Sequence, residues 1–212
     1  NAFAKHYTAA AYIHNGFGKS AGVVQVEELG TLETPIALTN TLNVGKVLDA
    51  MVEIVIEQCR KDGIEPQSIN PVVGECNDSR INQIQKRVVG ADEVRQAFAS
   101  ASEEFEEGDV GAGAGTICYG LKGGIGSASR VIRIGEKEYT IGVLVQSNFG
   151  ATEDFVLNGE SVGAKILDWK QEKDDMAASE EDKGSIMSIL ATDLPLTSRQ
   201  LRRILRRTGV GM

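Results

Sequence analysis

The sequence of 212 residues is poor in the residue types that most metal sites and disulfide frameworks require. It contains 3 cysteines and 2 histidines. Cys59, Cys76 and Cys118 follow neither a CxxC nor a Cys/His spacing, so we expect buried thiols and neither a zinc site nor a disulfide framework. His6 and His14 stand near the start of the chain without a serine or aspartate pattern beside them, which disfavours a Ser-His-Asp triad.

Long apolar runs and a surplus of positive charge are also missing. No segment approaches the roughly 18 apolar residues of a membrane-spanning helix, and the first residues lack the anatomy of a signal peptide. We therefore expect a soluble protein without a membrane partner, in the cytoplasm or the periplasm. The formal net charge of -8 disfavours nucleic acid as a general partner, because a phosphate-binding surface needs clustered positive charge.

The residues that are present are typical of a globular domain, with 42% hydrophobic and 25% charged content. We expect one domain over residues 1–212. Apolar residues at three-and-four spacing predict a helix over 44–61 and a second helix after Asp92. Segments rich in Val, Ile, Thr or Tyr predict short strands at 22–26, 35–39, 116–121, 130–134, 139–146 and 186–191. This irregular order favours an α+β fold over a doubly wound parallel sheet.

The junction between residues 184 and 185 is the first candidate for chemistry. The strongly charged segment 171–183, QEKDDMAASEEDK, is typical of an exposed, mobile linker, and it leads through Gly184 and Ser185 into an apolar strand. If the bond between them broke, the new α-amine of Ser185, with a pKa of about 7.7 to 8.0, could act as the base for its own hydroxyl. An ordinary loop-to-strand junction has the same composition, so the residues alone leave both interpretations open.

Two further segments could assist such a nucleophile. Gly123 and Gly124 belong to glycine clusters on either side of a short predicted strand, where backbones can approach closely and peptide N–H groups can bind a substrate carbonyl. Asn148 ends an apolar strand beside a glycine, and it is either a turn residue or the donor of an amide hydrogen bond to an oxyanion. A helix predicted at 197–207, TSRQLRRILRR, has an arginine face that we expect to pair with acidic residues of the protein.

Six segments, taken in chain order, resemble the DmpA/BapA family of L-aminopeptidase/D-esterases and β-peptidyl aminopeptidases. They are NGFGK at 15–19, LETPIALTNT at 32–41, GDVG at 108–111, CYGLKGGIG at 118–126, GVLVQSNFG at 142–150, and GS at 184–185 with ATDLPL at 191–196. The resemblance covers nearly the whole chain in the family's own order.

The resemblance implies an αββα sandwich of the type shared by DmpA and ornithine acetyltransferase, with layers like those of N-terminal nucleophile hydrolases but a different connectivity. It implies self-cleavage between Gly184 and Ser185, which would divide the chain into an α-chain part, 1–184, and the start of a β-chain, 185–212. Ser185 would be the nucleophile and its α-amine the base, and Asn148 would lie in the oxyanion hole. Short peptides or amino-acid amides would be hydrolysed after their N-terminal residue through an acyl-enzyme. The reaction would need neither a metal nor an organic cofactor. Four processed heterodimers would assemble into a homotetramer.

Two departures from the family bear on these expectations. Asn77, at the expected substrate site, stands where DmpA has tyrosine, which leaves L-, D- and β-amino acids open as substrates. Glu75 and Asp78 beside it are available to meet the substrate's ammonium group, or they are solvated loop carboxylates. Family members also extend further at both ends, so we expect a truncated chain, with the carboxylate that holds the nucleophile's amine beyond Met212. The alternatives are an acetyltransferase-like member, although that group uses threonine as its nucleophile, and a non-catalytic member that keeps the fold.

Overall fold

Residues 1–172 and 184–210 are described by a computed structural model. Their helices are α1 (Val23–Leu29), α2 (Val44–Lys61), α3 (Ala91–Ser100), α4 (Val162–Glu172) and α5 (Ser198–Leu205). Their strands are β1 (Tyr7–Thr8), β2 (Thr31–Leu32), β3 (Ile36–Asn40), β4 (Val72–Cys76), β5 (Ile117–Cys118), β6 (Leu121–Lys122), β7 (Gly124–Ile134), β8 (Lys137–Asn148), β9 (Val156–Leu157), β10 (Glu160–Ser161) and β11 (Ser185–Thr192). None of the described helices is long and apolar enough to cross a membrane.

The largest sheet consists of three antiparallel strands in the order β11-β8-β7. β7 and β8 form a hairpin whose turn includes Gly135, with a φ of 64° that glycine adopts without strain and that a tight hairpin turn requires. On the other side of β8, β11 pairs along its whole length, from Ser185 opposite Asn148 to Thr192 opposite Ile141. This register places the predicted nucleophile directly across from the predicted oxyanion donor.

A βαβ unit lies beside this sheet. β3 and β4 are parallel neighbours, and α2 connects them in the chain. The apolar face of α2 packs with Val73 of β4 and Val94 of α3 into a buried core. The buried members of this core are Val44, Val47, Ala50, Met51, Ile54, Val73 and Val94.

Close packing between β4 and β11 brings the βαβ unit against the three-stranded sheet. A Cβ added to Gly74 would lie 2.6 Å from Cε of Met187 and 2.8 Å from Cδ2 of Leu38, so a side chain at position 74 would force both of these side chains to move. The glycine therefore allows β4 to pass directly against β11. As a result Cys76, the last residue of β4, lies beside Ser185, the first residue of β11.

The predicted helices are confirmed, and most of the predicted strands occur with shifted or longer bounds. The strand predicted at 22–26 is wrong, because these residues belong to α1 and its preceding turn. Ala21 pairs with Val73 in an isolated bridge, and the left-handed Gly22 then turns the chain into a helix. A run of β-branched residues has the composition of a strand, but tertiary contacts decide which structure it adopts.

Other elements differ from the sequence-based expectations as well. The strand predicted at 116–121 is two short strands, β5 and β6, which are joined at Tyr119 and Gly120. β4 was not predicted, since a five-residue buried strand has no alternation to reveal it. α4 was not predicted either, and it contains Gln171 and Glu172. The rest of the predicted linker, 173–183, lies outside the described residues.

Candidate active site

The hydroxyl of Ser185 accepts a hydrogen bond from Asn148. Nδ2 of Asn148 lies 3.0 Å from Oγ of Ser185. Oδ1 of the same amide accepts from the backbone N–H of Ile117 at 3.0 Å, so the two ends of the side chain cannot exchange without losing a hydrogen bond. β5 thus orients the Asn148 amide so that its NH₂ group points at the serine.

A second N–H group reaches the same oxygen from another layer. The backbone N–H of Asn77, just after β4, points at Oγ of Ser185 with an N to O distance of 3.3 Å. The side chain of Asn77 turns back into its own loop, where Oδ1 accepts from the N–H of Ser79 at 2.9 Å. Sequence reasoning named Asn77 for its side chain and missed its backbone N–H, because every residue except proline has one.

Cys76 lies against Ser185. Its side chain is hydrogen-bonded to that of Ser185, and its thiol donates to the carbonyl oxygen of Gln146 with an Sγ to O distance of 3.5 Å. Burial raises the pKa of Cys76 to about 11; the Ser185 hydrogen bond opposes this shift, and the negative charge of Glu75 adds to it. Cys76 is therefore a neutral thiol at neutral pH. The expectation of buried thiols is confirmed for Cys59 and Cys76, whereas Cys118 is partly exposed.

The two carboxylates expected to meet an ammonium group are buried and already hold hydrogen bonds. Glu75 is 5% exposed; its Oε1 accepts from the N–H of Lys19 at 2.8 Å, and its Oε2 contacts the hydroxyl of Thr41. Since neighbouring side chains of a strand point to opposite faces, Glu75 lies on the face of β4 away from Cys76. Asp78 is also 5% exposed and bonds to asparagine side chains. Their role towards a substrate stays a prediction.

Gly123 and Gly124 allow backbones to pack closely. A Cβ on Gly123 would lie 2.6 Å from the carbonyl oxygen of Ser147, and one on Gly124 would collide with the backbone of Gly108. The N–H of Gly123 donates to the carbonyl of Thr116 at 2.8 Å, and that of Gly124 to Oγ of Ser147 at 3.2 Å. The expected close approach is confirmed. Both N–H groups have partners within the chain, and a substrate-binding role for the two glycines stays a prediction.

Within the described part of the chain, neither histidine forms a hydrogen bond with Ser185. Nε2 of His6 lies 3.9 Å from Oε2 of Glu33, and His14 contacts the ring of Tyr12. Gly184, which precedes Ser185, is exposed. The arrangement thus offers one hydroxyl and two N–H donors, which is suited to attack on a carbonyl carbon.

Comparison with known proteins agrees with this geometry. The model of peptidase family S58 matches residues 1–212. The chain belongs to peptidase family S58. This S58 chain is 36% identical over 211 residues to the β-peptidyl aminopeptidase BapA of Sphingosinicella xenopeptidilytica, covering 96% of the chain and 52% of that protein. It is 37% identical over 207 residues to BapA of Sphingosinicella microcystinivorans, covering 93% and 51%. The S58 chain therefore spans about half the length of these curated relatives.

Solved structures show the same fold. A protein of Pyrococcus horikoshii OT3 matches with a TM-score of 0.89 and 44% identity, over 100% of this chain and 56% of its own. The L-aminopeptidase D-Ala-esterase/amidase of Ochrobactrum anthropi, described as a prototype of the serine aminopeptidases and a new variant of the Ntn hydrolase fold, matches with a TM-score of 0.86 and 34% identity, over 97% and 55%. The expected α+β fold of the DmpA type, an αββα sandwich, is thereby confirmed.

Proposed function

We propose that this S58 chain is part of an aminopeptidase in which Ser185 is the nucleophile once cleavage after Gly184 has made it an N-terminal residue. The observation that carries the proposal is the convergence of two N–H donors, from the Asn148 side chain and the Asn77 backbone, on Oγ of Ser185. These donors lie next to the attacking oxygen, so a carbonyl group bound at Oγ would place its own oxygen within their reach, and there they would stabilise the oxyanion that forms on it. The names of the similar proteins, β-peptidyl aminopeptidase and L-aminopeptidase, support the same reaction class.

The first step is self-cleavage. Oγ of Ser185 attacks the carbonyl carbon of Gly184, the bond from that carbon to the Ser185 nitrogen breaks, and the departing nitrogen receives the hydroxyl proton. Water then hydrolyses the resulting ester, which leaves a carboxylate on Gly184 and a free α-amine on Ser185. Because Gly184 has no side chain, the carbonyl can rotate towards the hydroxyl through backbone angles that other residues rarely adopt.

The second step is hydrolysis of a substrate amide. The α-amine of Ser185, with a reference pKa of about 7.7 to 8.0, takes the hydroxyl proton as Oγ attacks the carbonyl after the substrate's N-terminal residue. Asn148 and the N–H of Asn77 stabilise the oxyanion. The ammonium then returns its proton to the leaving nitrogen, and water releases the acyl group from the serine. We propose short peptides or amino-acid amides as the substrate class, in line with the names of the similar proteins.

Self-cleavage is tested by intact mass measurement of the full-length protein. The parent should yield a piece that begins Ser-Ile-Met-Ser, whereas Ser185→Ala should stay one chain. Ser188→Ala is the matched control, because Ser188 lies in the same strand but on its opposite face, and this variant should be cleaved like the parent. Cleavage that persists in Ser185→Ala would refute the proposed nucleophile. An uncleaved parent that is folded would favour a non-catalytic member of the family.

Recognition of a free amino group is tested with p-nitroanilides of L-alanine, D-alanine and β-homoalanine. Each should be hydrolysed when its amine is free and not when it is acetylated, since we propose that the buried carboxylate of Glu75 pairs with the ammonium. Glu75→Gln should therefore raise KM for the free compounds. Equal rates on free and acetylated compounds would contradict an aminopeptidase, and the ranking of the free compounds would identify the preferred amino acid.

A further inference from the structure

We propose that Asp78 is a positioning residue that holds the Asn77 N–H at Ser185 through a buried chain of side-chain hydrogen bonds. This chain, which we call the polar ladder, consists of Asn43, Asn40, Asp78 and Asn82. The proposal rests on the proposed function, because it takes Ser185 as the nucleophile.

The polar ladder ties three parts of the fold together. Nδ2 of Asn43 donates to Oδ1 of Asn40 at 2.6 Å, and Nδ2 of Asn40 donates to Oδ2 of Asp78 at 3.0 Å. The same oxygen of Asp78 accepts from Nδ2 of Asn82 at 2.7 Å. The end of β3, the start of α2 and the loop after β4 are thus joined through one carboxylate oxygen.

The polar ladder is costly to bury. Asn43 is fully buried and Asp78 is 5% exposed, and Oδ1 of each has no hydrogen-bond partner within the described structure. A buried polar atom without a partner lowers stability, and a buried carboxylate does so most strongly. Stability alone therefore does not account for an aspartate at position 78. The aspartate is accounted for by its position, directly after Asn77, whose N–H reaches Ser185.

The loop around Asp78 has little freedom to move. The carbonyl of Asp78 accepts from the N–H of Asn82 at 2.9 Å, so the loop closes into a single turn. A Cβ on Gly115 would lie 2.7 Å from Cβ of Asp78 and would overlap Nδ2 of Asn82, so the Gly115 backbone packs directly on the polar ladder. Two residues later, Ile117 donates the N–H that orients Asn148.

The polar ladder consequently supports both N–H donors to Ser185. The polar ladder carries the loop that presents the Asn77 N–H, and it also forms the surface on which the segment before β5 rests. A shift of the Asp78 side chain would displace one donor directly and the other through Gly115. Displacement of a reacting or stabilising group by about 1 Å can cost on the order of 100-fold in rate.

The test compares two substitutions of the same residue in the full-length protein. Asp78→Leu removes the acceptor for both asparagine amides, and we expect self-cleavage and kcat for an amino-acid p-nitroanilide to fall by about 100-fold with KM little changed. Asp78→Asn keeps one oxygen that can accept from Asn40 and Asn82, so it should restore both rates close to those of the parent. Met51→Ala, a core substitution outside the polar ladder, controls for lost stability and should leave both rates unchanged in the folded protein.

A second measurement does not depend on activity. In the uncleaved Ser185→Ala background, hydrogen-deuterium exchange over residues 78–82 should rise with Asp78→Leu and stay low with Asp78→Asn and Met51→Ala. Unchanged exchange or unchanged rates in Asp78→Leu would overturn the positioning role, and so would an Asp78→Asn variant as slow as the leucine variant. If Asp78→Leu fails to fold, Asn82→Ala removes one of the two donors to the carboxylate and should slow both reactions less than the loss expected for Asp78→Leu. A folded parent that neither cleaves itself nor hydrolyses an amide would refute the proposed function itself.

Discussion

The core under α2 and the polar ladder beside Ser185 are both buried, but they differ in composition and in what they contribute to the protein. The core consists of apolar side chains, whose burial needs no hydrogen-bond partner. The polar ladder consists of three asparagines and an aspartate, and two of its oxygens have no partner among the described residues. The comparison indicates that the core stabilises the folded state. The polar ladder destabilises it to some extent, but it holds a loop in one place.

The largest expected effect separates activity from stability at Asn148. Asn148→Ala removes the side-chain donor to Ser185, and kcat should fall by about 10² to 10³, equivalent to roughly 3 to 4 kcal/mol of transition-state stabilisation. The melting temperature should fall by a few degrees only, because the N–H of Ile117 loses its one acceptor on Asn148. Steady-state kinetics and calorimetry on the processed protein give both quantities. A kcat within a factor of about two of the parent would make Asn148 a turn residue and nothing more.

A somewhat smaller effect of the opposite kind is expected in the core. Met51 is 2% exposed, and Met51→Ala should lower the free energy of unfolding by about 3 kcal/mol through lost burial and a cavity. The kcat of the folded fraction should remain that of the parent. Urea unfolding and kinetics on the same sample make the comparison. A large loss of kcat at low temperature, where the variant is folded, would contradict the division between the two regions.

The smallest effect lies at Cys76, which stands in the sequence between Val73 of the core and Asp78 of the polar ladder. The thiol has a pKa of about 11 in the folded protein against 9.0 as its ordinary value, so the folded state binds its proton more tightly than the unfolded state. This stabilisation is complete below pH 9 and is lost as the pH rises to 11. A shift of two units corresponds to about 2 to 3 kcal/mol.

The measurement is the difference in unfolding free energy between the parent and Cys76→Ser, followed from pH 8 to pH 11. The serine variant lacks the thiol proton, so the parent should lose more stability over this interval, while other titrating groups cancel in the difference. Iodoacetamide at pH 8 should leave activity intact, because the buried thiol is neutral. Parallel stability curves for the two proteins would show that the Cys76 pKa is not raised.

Much of the fold and part of the site could be predicted from local patterns. The three-and-four spacing of apolar residues predicts α2 with its observed bounds. A helix at a protein surface buries one face, and this spacing shows which face is buried. The capping box of Thr197 and Gln200 likewise predicts the start of α5. The residues indicate Ser185 and Asn148 as candidates, the resemblance to the family implies their roles, and the register of β11 on β8 places them opposite each other.

The remaining features depend on contacts between distant parts of the chain. Asn77 and Ser185 are separated by 108 positions, and no local pattern records that the N–H of one points at the hydroxyl of the other. The pKa of Cys76 depends on burial beneath β11, and the glycine at 74 that permits this burial is understood only once Met187 is seen against it.

The order of residues in the chain was thus sufficient for the family, the α+β class, the main helices and the identity of the nucleophile candidate. Tertiary structure alone decided which groups surround that nucleophile: the Asn77 N–H, the Cys76 thiol and the polar ladder behind them. The physical reason is that helix and strand patterns arise from neighbours in sequence, whereas backbone donors look alike at every residue and acquire a function only from where the fold places them.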